Sequence, residues 1–263
     1  MRQIFPSGSD GLLKYDIAHE VTAFSPLRDA VLPMRVVQAH QVHGDRVAVV
    51  TSAGTTREEL EGYDALVTDV PGVAIGARTA DCIPVLMYDP VRRVVAAVHS
   101  GWKGTVLKIA AKTLAVMASK YGTRTADILA VIGPGIGPES FQVGPEVAEA
   151  FLGAGFPETW SRPETDDDGT ASTGKTIVRL ITDRGPRIPD SMSGGLHIDL
   201  PQAVRLTLLR AGVHDANILI SGIDTYTYPG FFSARREGPS CGRTVNTIML
   251  NPCPSPEPSK KLP

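Results

Sequence analysis

One cysteine and two histidines stand at polar breaks between apolar segments of the chain. His43 lies in the loop QAHQVHG, Cys82 ends the polar run RTADC, and His99 precedes the glycine-rich link SGWKGT. A thiolate and two imidazoles are ligands that zinc accepts, and three protein ligands leave a fourth coordination position for water, as in catalytic sites. Because the three residues lack the close ligand pairs of zinc fingers, the spacing alone favours a buried thiol and two hydrogen-bonded histidines over a metal site.

Other polar residues near the three candidates have side chains suited to acid–base or anion chemistry. Asp81, beside Cys82, is a candidate to move a proton between water and a substrate, or else a carboxylate that supports a strand end. Arg78 is a candidate for holding phosphate or a hydroxyl group, since its guanidinium offers a fork of donors. Lys103 is expected near the start of a helix, where free amides and a cation favour an anion such as phosphate.

The scaffold that must position these residues is predicted to be rich in strands. Alternating or continuous apolar runs, many of them β-branched, predict strands bounded by glycine, proline and polar turns. Residues 34–50 form two strands around QAHQVHG, and 64–69 and 72–77 are expected to form a hairpin or two adjacent strands. The remaining predicted strands are 84–89, 94–99, 128–132, 217–221 and 244–250.

Three helices are predicted, each standing alone between strands. A three- and four-residue spacing of apolar side chains predicts a helix up to Tyr121, with Thr105 as N-cap and Gly122 at its end. Shorter helices are predicted over 145–151 and over 201–211. Strands outnumber helices, which predicts a mixed α/β fold in a single domain, residues 1–251, and not a regular doubly wound sheet.

Composition excludes several classes of protein. The chain has 263 residues, is 42% hydrophobic and carries a formal charge of −2, so it can bury a core but has no bulk attraction to nucleic acid or anionic lipid. It shows neither the apolar stretch of a signal peptide nor the ~18 apolar residues of a membrane span, so a cytoplasmic protein is expected. With only three cysteines, we expect reduced thiols.

Two segments depart from this periodic pattern. Residues of about 157–195 collect Pro, Asp, Gly, Ser and Thr, which predicts a surface insertion, and the proline-rich tail 252–263 is predicted to be disordered. GTASTGKT at 169–176 fits the pattern of a phosphate-binding P-loop, but no apolar strand leads into it and no helix pattern follows. We therefore do not predict an ATP site there.

An ordered series of motifs is more specific than any of these features. QVHG, DALVTD, RTADCIPVLMYDP, AVHSGWKGT and IGPGIGPESFQVGPEV follow one another between residues 38 and 248. The series resembles that of the YfiH family, whose members have been called multicopper polyphenol oxidase (laccase), peptidoglycan editing factor and purine nucleoside phosphorylase.

The resemblance implies a fold, a metal and a reaction. The implied fold has mixed β-sheets flanked by helices in a layered αββα-type domain, and the implied metal is a single zinc ion bound by His43, Cys82 and His99. The implied reactions are phosphorolysis of adenosine, inosine and methylthioadenosine, with phosphate as co-substrate, and deamination of adenosine. Small-molecule purine nucleosides and phosphate are then the expected partners, with no nucleic acid or membrane, and the protein is expected to be a monomer or a homodimer.

Candidate site residues follow from the matched motifs. The catalytic candidates are Asp81, Cys82 and Arg78. The substrate-binding candidates are Gln41, Arg78, Ser100, Lys103 and Arg243. The closing segment FFSARREGPSCGRT also resembles the basic motif of the family, which makes Arg235 and Arg236 candidates for the border of the pocket or, alternatively, parts of a solvated edge strand.

Three other functions remain open from the sequence. A copper-dependent phenol oxidase would need several histidine-rich sites, and the chain has six histidines in all. A cysteine-type hydrolase that edits cell-wall precursors would use Cys82 as nucleophile and His99 as base. A binding module without catalysis would turn over no nucleoside.

Overall fold

The computed structural model describes residues 3–5, 9–157, 178–180 and 195–252. The strands are β1 (Gln3–Phe5), β2 (Leu12–Asp16), β3 (Val21–Pro26), β4 (Val36–Gln38), β5 (Val47–Val49), β6 (Ala65–Thr68), β7 (Ala74–Thr79), β8 (Ile83–Asp89), β9 (Val94–Ser100), β10 (Leu129–Ile132), β11 (Gln142–Val143), β12 (Val178–Leu180), β13 (Leu196–Ile198), β14 (Ile218–Ile220) and β15 (Thr244–Leu250). The helices are α1 (Trp102–Val106), α2 (Ile109–Tyr121), α3 (Pro145–Gly153), α4 (Leu200–Arg210) and α5 (Ala234–Glu237).

Two large mixed sheets carry most of these strands. The first sheet has the order β1-β2-β3-β15-β7-β4, and the second has the order β14-β10-β8-β9-β6-β5. A small third sheet has the order β11-β13-β12. Most neighbours run antiparallel, but β4 with β7, β5 with β6 and β10 with β14 are parallel. The chain crosses repeatedly from one sheet to the other, and two of these crossings, β4 to β5 and β7 to β8, carry His43 and Cys82.

Strands β8 and β9 form the hydrophobic centre, and every residue in them is buried. Successive side chains of a strand point to opposite faces of its sheet. Val85 and Met87 belong to the core on the helix side, whereas Leu86 and Tyr88 belong to the core shared with the first sheet. Both faces of the second sheet are covered, which explains why these strands are continuous apolar runs.

The helices α1 to α4 contact the second and third sheets and one another. Helix α2 places Ile109, Leu114 and Met117 in the core on the outer face of the second sheet, and α4 adds Val204 and Leu208. The predicted mixed α/β fold with sheets and single helices is confirmed.

The helix predicted up to Tyr121 is broken. Helix α1 ends at Val106, Lys108 has a left-handed backbone with φ of 62°, and α2 begins at Ile109. Thr105 is not an N-cap, because it lies inside α1 and its hydroxyl donates to the Gly101 carbonyl at 2.9 Å. Both helices pack on β9, so the apolar spacing continues across the break and does not reveal it. Gly122 does cap α2, with φ of 71°.

The hairpin or pair of adjacent strands expected around Pro71 and Gly72 is wrong. Strand β6 lies in the second sheet and β7 in the first, so this turn carries the chain between the two layers. The other predicted strands and helices are confirmed with shifts of one or two residues at their ends. The prediction missed β1, β2 and β3, which build one side of the first sheet.

The P-loop-like pattern, most of the predicted insertion and the tail beyond residue 252 lie outside the described residues. Of the predicted insertion, the structure describes residues 157 and 195 and strand β12, which pairs with β13. Among the described helices, none has the length and apolar character needed to cross a membrane.

Candidate metal centre

The three candidate ligands meet where the two large sheets adjoin. Cys82 immediately precedes β8, His99 is the second-last residue of β9, and Pro84 pairs with His99 across these two antiparallel strands. His43 comes from the loop between β4 in the first sheet and β5 in the second. One ligand atom of each residue lies within 4.8 Å of those of the other two. We call these three residues the triad.

Close packing holds the triad together. The rings of His43 and His99 meet edge to face, with their centroids 4.8 Å apart. A Cβ atom on Gly101 would lie 2.9 Å from the Cys82 sulfur and 3.0 Å from Cδ2 of His43, so only glycine fits there without displacing a ligand. The three side chains differ in access: His99 is buried, Cys82 is partly exposed and His43 is exposed.

The electrostatics of the triad favour a thiolate. Burial raises the pKa of Cys82, but the charge of His99 and hydrogen bonds from both histidines lower it to about 6. Burial lowers the pKa of His99, whereas the charge of Cys82 and a hydrogen bond with Asp64 raise it to about 9. Cys82 and His99 therefore form a thiolate–imidazolium pair near neutral pH, and a thiolate is the form of cysteine that binds metals.

The donor set fits zinc. Zinc binds thiolate sulfur and imidazole nitrogen at about 2.0–2.3 Å in tetrahedral sites, which places ligand atoms roughly 3.5 Å apart. The ligand atoms of the triad lie within 4.8 Å of one another, so they would have to move closer together to reach that spacing. Among the described residues, this is the one group of three His, Cys, Asp or Glu side chains close enough to share an ion.

The triad opens into a cavity of about 720 Å³. This volume is in the range of small-molecule sites. Apart from the triad, its walls include Gln41, Asp81 and the ring of Phe141, together with Cys241. Four arginines also line it, which we call the basic wall: Arg57, Arg78, Arg235 and Arg243.

The basic wall lacks neutralising carboxylates. No ion pair joins its four arginines to an acidic side chain within the part of the chain that the structure describes. Burial lowers the pKa of Arg78, and the charges of Arg57 and Arg243 lower it further. Like charges therefore converge on this side of the cavity, which favours binding of an anion.

Gln41 connects the basic wall to the loop that carries His43. Its side-chain amide donates to the Arg78 carbonyl and accepts from the Arg78 amide, both at 2.8 Å. This pair of bonds ties the β4–β5 loop to β7. Gln41 lies in the cavity, as the sequence suggested, but its amide is engaged with the backbone of Arg78.

Asp81 is fixed at the floor of the cavity. It is a buried non-glycine residue with φ of 81°, a conformation that L-residues seldom adopt. Its carboxylate accepts from the Thr225 hydroxyl and from the Arg235 amide, each at 2.7 Å. Strained residues held by their surroundings are common at functional sites. The two bonds leave further lone pairs on both carboxylate oxygens.

Three sequence candidates do not line the cavity. Ser100 is buried, and its hydroxyl pairs with that of Thr105 at 2.8 Å. Lys103 is exposed within the short helix α1, with its ammonium 5.5 Å from the ring centroid of Trp102. Arg236 bonds the carbonyls of the loop that precedes α5 and the carboxylate of Glu237.

Sequence reasoning missed several residues of the site. Arg57 lies in a polar stretch without strand or helix periodicity, so no spacing indicates that it reaches the cavity. Asp64 stands in the matched motif DALVTD, which was the available signal, and its carboxylate accepts from Nδ1 of His99 at 2.7 Å. Phe141 and Cys241 were also missed, although they stand in the matched segments IGPGIGPESFQVGPEV and FFSARREGPSCGRT.

The fold and the triad define a mixed α/β protein with a candidate three-ligand metal site in a basic cavity. Residues 16–251 match the family described as multi-copper polyphenol oxidoreductase laccase. The chain belongs to this family, which is the YfiH family that its motifs resemble.

Similar proteins carry three different descriptions. A purine nucleoside phosphorylase of Bacteroides thetaiotaomicron is 38% identical over 223 residues, covering 82% of this chain and 72% of the relative. Adenosine deaminase RL5, from an unknown prokaryotic organism, is 36% identical over 220 residues, covering 81% and 74%. The crystal structure of the Bacillus licheniformis hypothetical protein YfiH is 26% identical, with a TM-score of 0.73 over 92% of this chain and 97% of that one.

Proposed function

We propose that the protein is a zinc-dependent purine nucleoside phosphorylase that also deaminates adenosine. The observation that carries the proposal is the joining of the triad and the basic wall in one cavity of about 720 Å³. A nucleoside fits such a volume, and four arginines with no carboxylate partner among the described residues favour phosphate. The relatives named purine nucleoside phosphorylase and adenosine deaminase add support.

The residues of the cavity have different proposed roles, which follow from their chemistry. When bound, zinc supplies a Lewis acid that activates water for attack on an electrophilic carbon. Arg78 and Arg243 hold phosphate through charge-assisted hydrogen bonds, with Arg57 nearby to add charge. Asp81 accepts a proton at a carboxylate oxygen and returns it to the purine, and its contacts with Thr225 and Arg235 keep that carboxylate in place.

Phosphorolysis and deamination make different demands on these residues. In phosphorolysis a phosphate oxygen bonds to the anomeric carbon, the bond to the purine nitrogen breaks, and the purine takes the electron pair and a proton. In deamination water replaces the amino group, which leaves as ammonia. The basic wall binds the phosphate that only phosphorolysis consumes, whereas the triad serves both reactions, so phosphate is required for only one of them.

Copper-dependent phenol oxidation is the second candidate, because the family description names multi-copper oxidoreductases. Oxidation by several coppers needs several ligand groups, whereas the described residues provide one group of three. A hydrolase that uses the Cys82 thiolate as nucleophile is the third candidate, and the low pKa of Cys82 favours it. A thiolate bound to a metal does not serve freely as a nucleophile, so metal content separates these functions.

The test is elemental analysis of the untagged protein followed by assays with adenosine in the presence and absence of phosphate. We expect about one zinc per chain, adenine and ribose 1-phosphate formed only with phosphate, and inosine formed without it. Several coppers per chain with turnover of phenols would favour the oxidase. Full activity of metal-free protein would overturn the zinc-dependent reaction and favour the thiolate hydrolase.

A further inference from the structure

Asp64 is a buried carboxylate with an unusual set of partners. It directly precedes β6 and is 2% exposed. No lysine or arginine among the described residues pairs with it. Four donors surround it instead: the amides of Val42, His43 and Gly44 and the ring of His99. A buried charge needs such compensation, and here all the donors belong to or adjoin two of the triad residues.

Three of these donors are consecutive amides of the QVHG loop. The distances are 3.1 Å from Val42, 2.9 Å from His43 and 2.8 Å from Gly44. His43 has φ of 61°, in the left-handed region. Successive amides around a left-handed residue form a concave anion-binding site, and here the anion is the protein's own carboxylate. Asp64 therefore holds the backbone of His43 in the conformation from which its ring reaches Cys82.

The fourth donor is the His99 ring. Nδ1 lies 2.7 Å from Oδ1 of Asp64, the same oxygen that accepts the His43 amide. A carboxylate only accepts hydrogen bonds, so Nδ1 carries a proton and Nε2 is the nitrogen left for the triad. The backbone amide of His99 also donates to the Asp64 carbonyl at 2.8 Å. Ring and backbone of His99 are thus both fixed by one residue.

We propose that Asp64 is the positioning residue of the metal centre, and that its single carboxylate sets the geometry of two ligands from different segments before the metal binds. It does not reach the metal or the substrate. The proposal rests on the zinc site of the proposed function but not on the reaction catalysed there. Groups behind metal-bound histidines tune affinity, and their loss commonly weakens metal binding about 10- to 100-fold.

Replacing Asp64 by asparagine distinguishes a role in positioning the ligands from a role in filling space in the core. An amide has the size of a carboxylate, but one of its two acceptor atoms is replaced by a donor. In Asp64→Asn, the side-chain NH₂ would face either loop amides, which cannot accept, or Nδ1 of His99, which accepts only in the tautomer that protonates Nε2 and so removes it as a ligand. We therefore expect the loop and His99 to lose their fixed relation although the core stays filled.

The matched control is Asp89→Asn. Asp89 is also fully buried, and its Oδ1 accepts from the amides of Val91 and Arg92 at 2.9 and 3.0 Å in the turn between β8 and β9. It shares the chemistry of Asp64, a buried carboxylate on backbone amides, but contacts no triad residue. Any general effect of removing a buried charge should appear in both variants.

The experiment measures zinc affinity of the full chain by competition with a chelator, and the visible spectrum of the Co²⁺-substituted protein as a readout of ligand geometry. We expect Asp64→Asn to raise the Kd for zinc about 10- to 100-fold and to alter the Co²⁺ spectrum. Asp89→Asn should leave the Kd within about threefold and the spectrum unchanged. If Asp64→Asn does not fold, Asp64→Glu compared with Asp89→Glu should give the same contrast.

Several results would overturn the proposal. These are zinc affinity within about threefold of wild type in Asp64→Asn, an equal loss in the Asp89 control, or a wild-type chain that binds no metal. Wild-type protein that binds zinc but does not turn over nucleosides would refute the proposed reaction alone. In that case the two Asp variants still decide the role of Asp64, because neither readout needs a substrate.

Discussion

The triad and the basic wall face the same cavity but are built in opposite ways. Cys82 and His99 stand at the ends of buried strands and His43 in the loop between β4 and β5, and an internal anion, Asp64, accepts hydrogen bonds from the His43 amide and the His99 ring. The basic wall has no internal anion among the described residues. Arg57, Arg235 and Arg243 bond backbone carbonyls, which fix their direction without neutralising their charge.

This difference indicates that the basic wall, and not the triad, depends on a bound ligand to offset its charge. Protein groups alone fix the His43 backbone and the His99 ring, so under the proposed function a metal would enter a largely prearranged site. Around Arg78, burial and the charges of Arg57 and Arg243 oppose its own charge, and an anion would relieve that repulsion. We therefore expect substitutions in the triad to change metal content but not phosphate binding. Substitutions in the basic wall should change phosphate binding but not metal content.

The largest effect should follow from Cys82→Ala. Loss of one of three ligands should weaken zinc binding beyond the roughly 100-fold limit expected for supporting residues, and both activities should disappear. The basic wall is unchanged, so binding of inorganic phosphate, measured by calorimetry, should stay within about threefold.

Cys241→Ala is the control for this substitution. Cys241 lines the same cavity, and its sulfur accepts from Arg243 at 3.2 Å, but it is not part of the triad. Zinc content should be unchanged in this variant. If Cys82→Ala retains zinc, or if Cys241→Ala loses it, the assignment of the ligands is wrong.

A smaller effect is expected from Arg78→Met. A hydrogen bond to a charged group contributes about 1.5–3 kcal/mol, which corresponds to an increase of about 10- to 150-fold in the KM for phosphate. Zinc content and deamination in the absence of phosphate should change much less. The exposed Arg124 provides the control, since Arg124→Met removes the same charge away from the cavity. Equal losses in phosphorolysis and zinc content would contradict the division of the cavity into two parts.

The sequence predicted the triad better than the basic wall, for a physical reason. Cys82 and His99 adjoin continuous apolar strands, and those strands pair with each other, so a local pattern places both residues at one sheet edge. Arg57 has no periodic neighbours, and its place in the cavity depends on how an irregular segment packs across the fold. Contacts of that kind leave no trace in local spacing.

The errors in the predicted fold have the same cause, because local spacing does not reveal contacts between distant segments. The pattern of β6 and β7 predicts two strands correctly, but a turn at Pro71 and Gly72 is compatible with a hairpin and with a crossing between sheets. The burial of apolar side chains favours the crossing over the hairpin, because β6 and β7 then cover opposite faces of the core that the two sheets share. Likewise, α1 and α2 keep one apolar spacing although Lys108 separates them.

The smallest effect concerns pH and tests the triad alone. With a pKa of about 6 for Cys82 and about 9 for His99, the pair holds one proton between these values, on His99. The stabilisation from the Cys82 thiolate is lost as pH falls through about 6, and that from the His99 imidazolium is lost as pH rises through about 9. With ordinary values of 9.0 and 6.5 the unfolded pair also holds one proton over most of this window, so metal-free stability should show little pH dependence from it.

Zinc binding should nevertheless depend on pH, because the ion must displace the His99 proton. The apparent affinity should rise about tenfold per pH unit between the two pKa values and fall more steeply below the lower one, where Cys82 must also lose a proton. Calorimetry in buffers of different ionisation enthalpy should detect about one proton released per zinc near pH 7.5. Because a Cys82 thiol beside a neutral His99 would also release one proton, the ultraviolet absorbance of the thiolate should be titrated in the metal-free protein, where it should appear near pH 6. A thiolate that appears only near the ordinary pKa of 9.0 would remove the electrostatic basis of the contrast between the triad and the basic wall.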